Sequence, residues 1–299
     1  MSYGKGETVG KIAIITDSNT CIPEELVERY QIGIVPINLI FGEESLRDGV
    51  DISIQEFYAR LREADPPPTS SAPSPAQYAE AFEEAIDRGV EGIVVITLSS
   101  KLSMAYNAAN VALKDFADFP IRLVDGRMAT IAQGFVALTA AEAAAQGDDL
   151  QSVAEAAEKS IPGIGFAIML ESLEYLHRGG RVPAIASLVG SAIRLNPILG
   201  NRNDGTVGII FPSIGKSAAI KRILSEVERK SKAQPLKRLA VTHAAAPEEA
   251  EALFDTVQER FRCGEIYIVE LTPVMGAHAG PGVIGLAYHV ESPEDSKED

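Results

Sequence analysis

The run GIVVITL at residues 92–98, followed by SSKLS at 99–103, decides the fold class. It is continuously apolar and rich in β-branched residues, the pattern of a strand covered on both faces. It ends in hydroxyls, and Ala105, Ala108, Ala109 and Ala112 then favour a helix through about Phe116. The same order occurs upstream. Lys11–Thr16 (KIAIIT) runs into Asp17–Ser18–Asn19–Thr20, and Pro23 with Glu24 and Glu25 opens a helix reaching about Tyr30. Downstream, Pro120–Val124 ends at Asp125–Gly126–Arg127 before an alanine-rich helix from about Ala129 to Gln146, stopped at Gly147. Strand, polar loop and helix in repetition predict an α/β domain, in which ligands bind outside the carboxyl ends of the strands.

A second hydroxyl cluster lies in PPPTSSAPSP, residues 66–75. The prolines hold the approach to Thr69, Ser70 and Ser71 extended. Ser74 reads as a helix N-cap with Pro75 at the first helical position and Gln77 closing a capping box. A stiff loop delivered into a helix N-terminus suits an anion held by neutral donors; the alternative is a capped linker. Together with Ser99, Ser100 and Ser103 it gives one α/β unit two hydroxyl clusters, against which stands ordinary capping by serines.

Between these landmarks, Gly33–Ile40 (GIVPINLI) reads as one strand, with Pro36 hinting at an edge or bulge. Gly42–Gly49 reads as a polar turn region, and Ser53 with Glu56 as a capping box. The rhythm changes near Ile161–Gly165, so domains are expected over 1–160 and 161–290, with an acidic disordered tail at 291–299. In the second domain, Leu173–Leu176 leads into Gly179–Gly180, which end a short helix, and Arg181 follows directly. Ser187–Leu195 is expected to be helical. Further strands are expected at Ile198–Leu199, Val207–Phe211, Arg238–Thr242, Glu265–Leu271 and Val283–Val290, and helices at Ser217–Lys230 and from Pro247 to about Phe261. Thr272–Gly285 (TPVMGAHAGPGVIG) reads as a glycine-rich loop in which backbone donors and the His278 imidazole approach a ligand, although a lone histidine is more often structural.

Composition narrows the classes of function. The chain has 299 residues, 46% hydrophobic and 23% charged, with a formal net charge of −15. That balance argues against nucleic acid and against bulk attraction to an anionic membrane. Cys21 and Cys263 form no CxxC pair, so neither a disulfide framework nor a zinc site follows, and a reduced cytoplasmic setting is expected. The start MSYGKGETVGK has no apolar core of a secretory signal. No Gly-x-Gly-x-x-Gly follows a strand and no complete phosphate loop is present, so no nucleotide cofactor is expected.

Taken in order, several stretches resemble the DegV family. They are Thr16–Asp17–Ser18, Arg47–Asp48–Gly49–Val50–Asp51–Ile52, Ser70–Ser71–Ala72–Pro73–Ser74, Ser99–Ser100–Lys101–Leu102–Ser103, Leu173–Glu174–Tyr175–Leu176 with Gly179–Gly180–Arg181, and His278–Ala279–Gly280–Pro281–Gly282. Each is weak alone; their order and spacing are specific. The resemblance implies a DegV-like two-domain α/β protein, with an N-terminal Rossmann-like parallel sheet, a C-terminal α/β domain and a long-chain fatty acid between them. It implies that Thr69, Ser70 and Ser71, with Ser99, Ser100 or Ser103, His278 and Gly280, hold the carboxylate, and that Arg181 braces a loop hydroxyl from behind. It further implies a carrier that performs no chemistry alone; a monomer is expected. Such a carrier presents the acid to a separate ATP-dependent fatty acid kinase, and transient membrane contact is compatible with that role. Met104 and Ala72 depart from the family's common glycine and glutamine.

Two rival readings use other residues. A stand-alone acyl hydrolase would pair Ser100 or Ser103 with His278, but no Gly-x-Ser-x-Gly elbow is present. A metal enzyme would gather Asp17, Asp125 and His243 from strand ends, in a spacing that matches no recognised ligand set.

Overall fold

The computed structural model describes residues 11–181, 196–232 and 234–291. The helix expected over Ser187–Leu195, and the acidic tail after its first residue, lie outside them. The first half runs β1 (Ile12–Asp17), α1 (Glu24–Tyr30), β2 (Gly33–Val35), β3 (Asn38–Phe41), β4 (Glu44–Arg47), α2 (Ile54–Leu61), β5 (Thr69–Ser71), α3 (Pro75–Asp87), β6 (Gly92–Thr97), α4 (Ala105–Ala112), β7 (Ile121–Asp125), α5 (Thr130–Gln146) and α6 (Leu150–Ser160). The second half runs β8 (Ile164–Met169), α7 (Glu174–Gly179), β9 (Ile198–Asn201), β10 (Val207–Phe211), α8 (Lys216–Ser231), β11 (Leu236–His243), α9 (Pro247–Arg260), β12 (Cys263–Glu270), α10 (Pro273–Ala279) and β13 (Ile284–Val290).

The first sheet has the order β2-β1-β6-β7 and is parallel throughout. Its two central strands are buried along their whole length, which is why β6 reads as an unbroken apolar run. Alternate residues serve opposite faces. Ala13, Ile15, Ile93 and Val95 pack with Tyr78 and Phe82 of α3 and Ala109 and Ala112 of α4. Ile12, Ile14, Val94 and Ile96 pack on the other side with the cluster that includes α5.

The second sheet, β10-β9-β8-β13-β11-β12, is mixed: only β11 and β12 run parallel. Residues of α8 and α9 cover one face, with Ile223 and Val257 against Leu239, Val241 and Leu286. The other face, through Phe166, Ile168, Ala240 and Ala287, shares a core with α5. Helix α5 is therefore enclosed by both sheets. Its alanines keep it thin enough for that position, and it is buried nearly all round. Glu142 of α5 also takes the Arg238 guanidinium, buried at 1% exposure, which links the helix to β11. Every strand of the smaller sheets precedes Ile161 and every strand of the six-stranded sheet follows it. We propose the division of the chain at that point.

Three expectations away from the Thr69–Ser71 segment need correction. Gly33–Ile40 is not one strand. Pro36, which has no N–H to donate, separates β2 in the parallel sheet from β3 in a three-stranded antiparallel sheet ordered β4-β3-β5. The expected turn at Gly42–Gly49 contains β4, paired with β3. Half of the glycine-rich stretch Thr272–Gly285 is helix: Thr272 is the N-cap residue, Pro273 begins α10, and Gly280 caps its end at φ +74°.

Candidate functional site

The loops that follow β1, β6 and β7 face the strands β8 and β9, and α10 lies beside them. Between the layers is a cavity of about 520 Å³, within the ~300–1,000 Å³ of small-molecule sites. Leu98, Leu102, Phe166, Ile168, Leu170, Leu176, Leu199, Val207 and Val274 supply apolar wall. Asn19, Ser70, Ser71, Ser100, Ser103, Thr130 and His278 supply polar wall, with the exposed Lys101 and Arg181 also contributing. Met104 lines the cavity while 61% exposed, which puts it at the mouth.

His278 sits near the end of α10, and its Nε2 lies 2.7 Å from Ser70 Oγ on β5. Burial, with a further contribution from the Arg181 charge, pushes its pKa down to about 4, so the ring is neutral near pH 7. Gly179 makes room for it: a Cβ at that position would stand 2.4 Å from His278 Nδ1. Gly280 lies outside the cavity wall. Its Cβ would collide with the Tyr175 ring, so this glycine is needed for close packing of α10 on α7 as well as for its positive φ.

The hydroxyls divide by what they already bind. Ser70 and Ser71 line the cavity from β5, which is a short strand and not the loop expected; Thr69 is exposed and outside the wall. The Ser74 capping box is present, with Ser74 Oγ accepting from Gln77 N and the Gln77 side chain accepting from Ser74 N. Ser99 is buried behind the wall and donates to the Gly205 carbonyl at 2.7 Å. Ser100 lines the cavity but donates to Asp125 Oδ2 at 2.5 Å, and Ser103 Oγ accepts from Ala105 N at 3.1 Å. Neither is joined to His278, so the pair required by a hydrolase is replaced by Ser70–His278. Among the described residues His278 Nδ1 has no partner to orient it. Arg181 Nη1 donates to the Gly179 carbonyl at 2.5 Å, two residues away, where a bond to a loop hydroxyl was expected.

Two wall residues escaped the sequence reading. Thr130 is fully buried, its hydroxyl unpartnered among the described residues, and its φ is +58°. A β-branched residue in that region is an outlier, with a cost of about 1–3 kcal/mol. Asn19 is also buried, with Oδ1 unpartnered among the described residues. Behind it Asp17 accepts from Leu98 N, Asn19 N and Gln133 Nε2. Burial nevertheless pushes the Asp17 pKa up to about 6 and that of Asp48, which accepts from Ser18 Oγ, up to about 7. The sequence offered only an ordinary polar loop at Asn19. For Thr130 the signal, a backbone angle, is not written in residue type.

The metal reading fails on geometry. Asp125 binds Ser100 and the Arg127 amide, while the His243 ring accepts from Ala246 N. No group of three or more His, Cys, Asp or Glu residues is gathered among the described residues. None of the described helices is long and apolar enough to cross a membrane.

A parallel sheet and a mixed sheet enclosing a cavity with a Ser–His pair in its wall define an α/β protein built around an internal site. The chain belongs to the DegV family, whose model, described as uncharacterised proteins, matches residues 11–291. A DegV domain-containing protein of Streptomyces coelicolor is 35% identical over 276 residues, covering 92% of this chain and 97% of that one. The crystal structure of DegV from Bacillus subtilis, described as a fatty acid binding protein, is similar with a TM-score of 0.83 at 28% identity, covering 94% of this chain and 99% of that one. A DegV family protein from Thermus thermophilus, described in terms of fatty acid binding, has a TM-score of 0.83 at 26% identity, with the same 94% and 99% coverage.

Proposed function

We propose that this chain binds one long-chain fatty acid in the cavity between its sheets. The acyl chain lies along the Leu98–Phe166–Leu199 side, and the head group meets the polar wall that includes Ser70, Ser71, Ser103 and His278. The observation that carries this reading is an aliphatic cavity whose wall contains a neutral Ser70–His278 pair at 2.7 Å. Each methylene removed from water contributes about 0.8 kcal/mol, so the chain supplies most of the affinity and the polar wall fixes position. The fatty acid binding described for the Bacillus and Thermus relatives supports the same ligand class here. We further infer a monomeric, cytoplasmic carrier that performs no reaction itself and presents the acyl group to a separate ATP-dependent kinase forming an acyl phosphate. Among the described residues no group partners His278 Nδ1 to orient the ring as a base, which weighs against acyl hydrolysis by Ser70. The test is titration with a fluorescent fatty acid and its displacement by palmitate. Saturable binding at micromolar ligand with one site per chain is expected; absence of saturation with palmitate and oleate alike refutes the reading.

A further inference from the structure

A second cavity, of about 760 Å³, lies where the turn between β7 and α5 meets β8, β9, β10, β13 and the end of α8. Among the described residues Phe166 alone is common to its wall and that of the first cavity. The two walls differ in charge. Arg127, Arg202, Arg229 and Lys230 line the second cavity, and Glu226 is the only carboxylate among its described lining residues. Arg229 takes Glu226, donating from Nε at 3.0 Å and from Nη2 at 2.6 Å. Arg127, Arg202 and Lys230 are left uncompensated in the wall, and none of the three is in an ion pair among the described residues. In a chain of formal net charge −15, three such cations around one hollow reverse the sign of the average surface.

Each of these cations comes from a different element and is held beside the cavity. The Arg127 amide donates to Asp125 Oδ1 at 3.0 Å, which fixes the turn after β7. The Arg202 guanidinium rests on the bare backbone of β10, where a Cβ at Gly208 would stand 2.6 Å from its Nη2. Lys230 Nζ lies 6.0 Å from the centre of the Tyr288 ring, itself part of the wall. A neutral donor joins them. Asn201 Oδ1 accepts from Phe166 N at 3.1 Å, which fixes the amide's orientation and leaves Nδ2 with no acceptor among the described residues. Asp125 and Asp204 adjoin wall residues in sequence but are not in the wall; Asp125 accepts from Ser100 and Arg127, and Asp204 from Thr206.

A wall this rich in donors suits a ligand with several charges and many acceptor oxygens. Each phosphate group brings three strong acceptor oxygens where a carboxylate brings two, and the arginine fork matches phosphate bidentately. We propose that the second cavity binds a small anion carrying more than one phosphate group. Arg127, Arg202 and Lys230 neutralise it, and Asn201 Nδ2 donates to it. The volume falls within the ~300–1,000 Å³ of small-molecule sites and exceeds what a single phosphate would fill. This site is separate from the fatty acid cavity and does not rest on the fatty-acid reading.

The probe is inorganic pyrophosphate, titrated calorimetrically into the full chain in buffer free of divalent metal, with citrate as a carboxylate of similar charge. Saturable binding of pyrophosphate at one site per chain is expected, about tenfold or more tighter than citrate, the worth of one further charge-assisted hydrogen bond. Arg202→Gln and Lys230→Gln should each weaken pyrophosphate roughly three- to thirtyfold, one charged contact discounted for solvent exposure. Gly208→Ala keeps every charge but displaces the Arg202 guanidinium. It should weaken binding in the wild-type background and have no further effect beside Arg202→Gln. Lys114→Gln removes an exposed charge outside both cavities and should leave the affinity unchanged. The urea midpoint of each variant reports an intact fold, and the wild-type titration needs no variant. Absence of saturable pyrophosphate binding, citrate binding as tightly as pyrophosphate, or equal affinity in Arg202→Gln, Lys230→Gln and Lys114→Gln would each overturn the proposal.

Discussion

Gly179→Ala is the sharpest test of how the Ser70–His278 pair is held. Gly179 is the last residue of α7, and its backbone is not in the left-handed region. Helix propensity alone would favour alanine by up to about 1 kcal/mol. The new methyl, however, would stand 2.4 Å from His278 Nδ1, about 1 Å inside ordinary van der Waals contact. The ring cannot swing away without giving up Ser70, since Nε2 is engaged at 2.7 Å. Overpacking of this kind costs about 1–3 kcal/mol, so the net expectation is a loss of up to about 2 kcal/mol. The double-mutant cycle isolates the cause. In a His278→Ala background the ring is gone, and Gly179→Ala should be neutral or stabilising by up to about 1 kcal/mol. Urea unfolding of the four proteins, with a fatty acid titration on each, gives both arms. If Gly179→Ala costs the same stability with and without the imidazole, the ring is not the group Gly179 accommodates, and the placement of His278 is wrong.

His278→Ala should weaken fatty acid binding by no more than roughly a hundredfold, about 2.7 kcal/mol, because the acyl chain carries most of the energy; kinase-coupled acyl phosphate formation should fall much further, as small misplacement is costly in rate. Equal losses in a paired titration and turnover assay would contradict that split. Ser74→Ala removes the cap that starts α3 beyond the Ser70–Ser71 strand and should cost about 1 kcal/mol in urea unfolding, with affinity nearly unchanged; a threefold or greater loss of affinity would mean the cap also shapes the site. Burial raises the Asp48 pKa from 3.8 to about 7, so the folded state holds this proton more tightly. Its stabilising contribution is full below pH 3.8 and is lost as pH rises through about 7. Asp48→Asn should therefore flatten the decline in the urea midpoint between pH 4 and pH 8, and an unaltered slope would show that Asp48 does not titrate there.

The strand–loop–helix rhythm was legible because β1 and β6 are covered on both faces, and complete burial writes itself as unbroken apolar runs. The alanine-rich run likewise marked α5 as a helix, although not that both sheets would enclose it. The three-stranded sheet was less visible: β4 is solvent-facing and polar, so its pairing with β3 leaves no hydrophobic signature. The helix carrying His278 was hidden by Gly276, whose usual meaning is loop; here a Cβ would come within 2.5 Å of Phe57, so packing against α2 selects the glycine. Ser70, Ser71, Ser100 and Ser103 of the two hydroxyl clusters line one cavity, but the sequence could not say which oxygens were already spent. Ser99 and Ser100 look equivalent in sequence, yet one binds Gly205 behind the wall and the other binds Asp125. Asn19 gained its place through a chain of amide contacts across more than a hundred residues, and no local spacing encodes that.

The most direct measurement of the central claim is mass spectrometry of an organic extract from protein purified without added lipid. The account predicts long-chain fatty acid at close to one molecule per chain, released on unfolding and absent from a mock purification. An extract free of fatty acid, from protein that afterwards binds neither added palmitate nor added oleate, would contradict it.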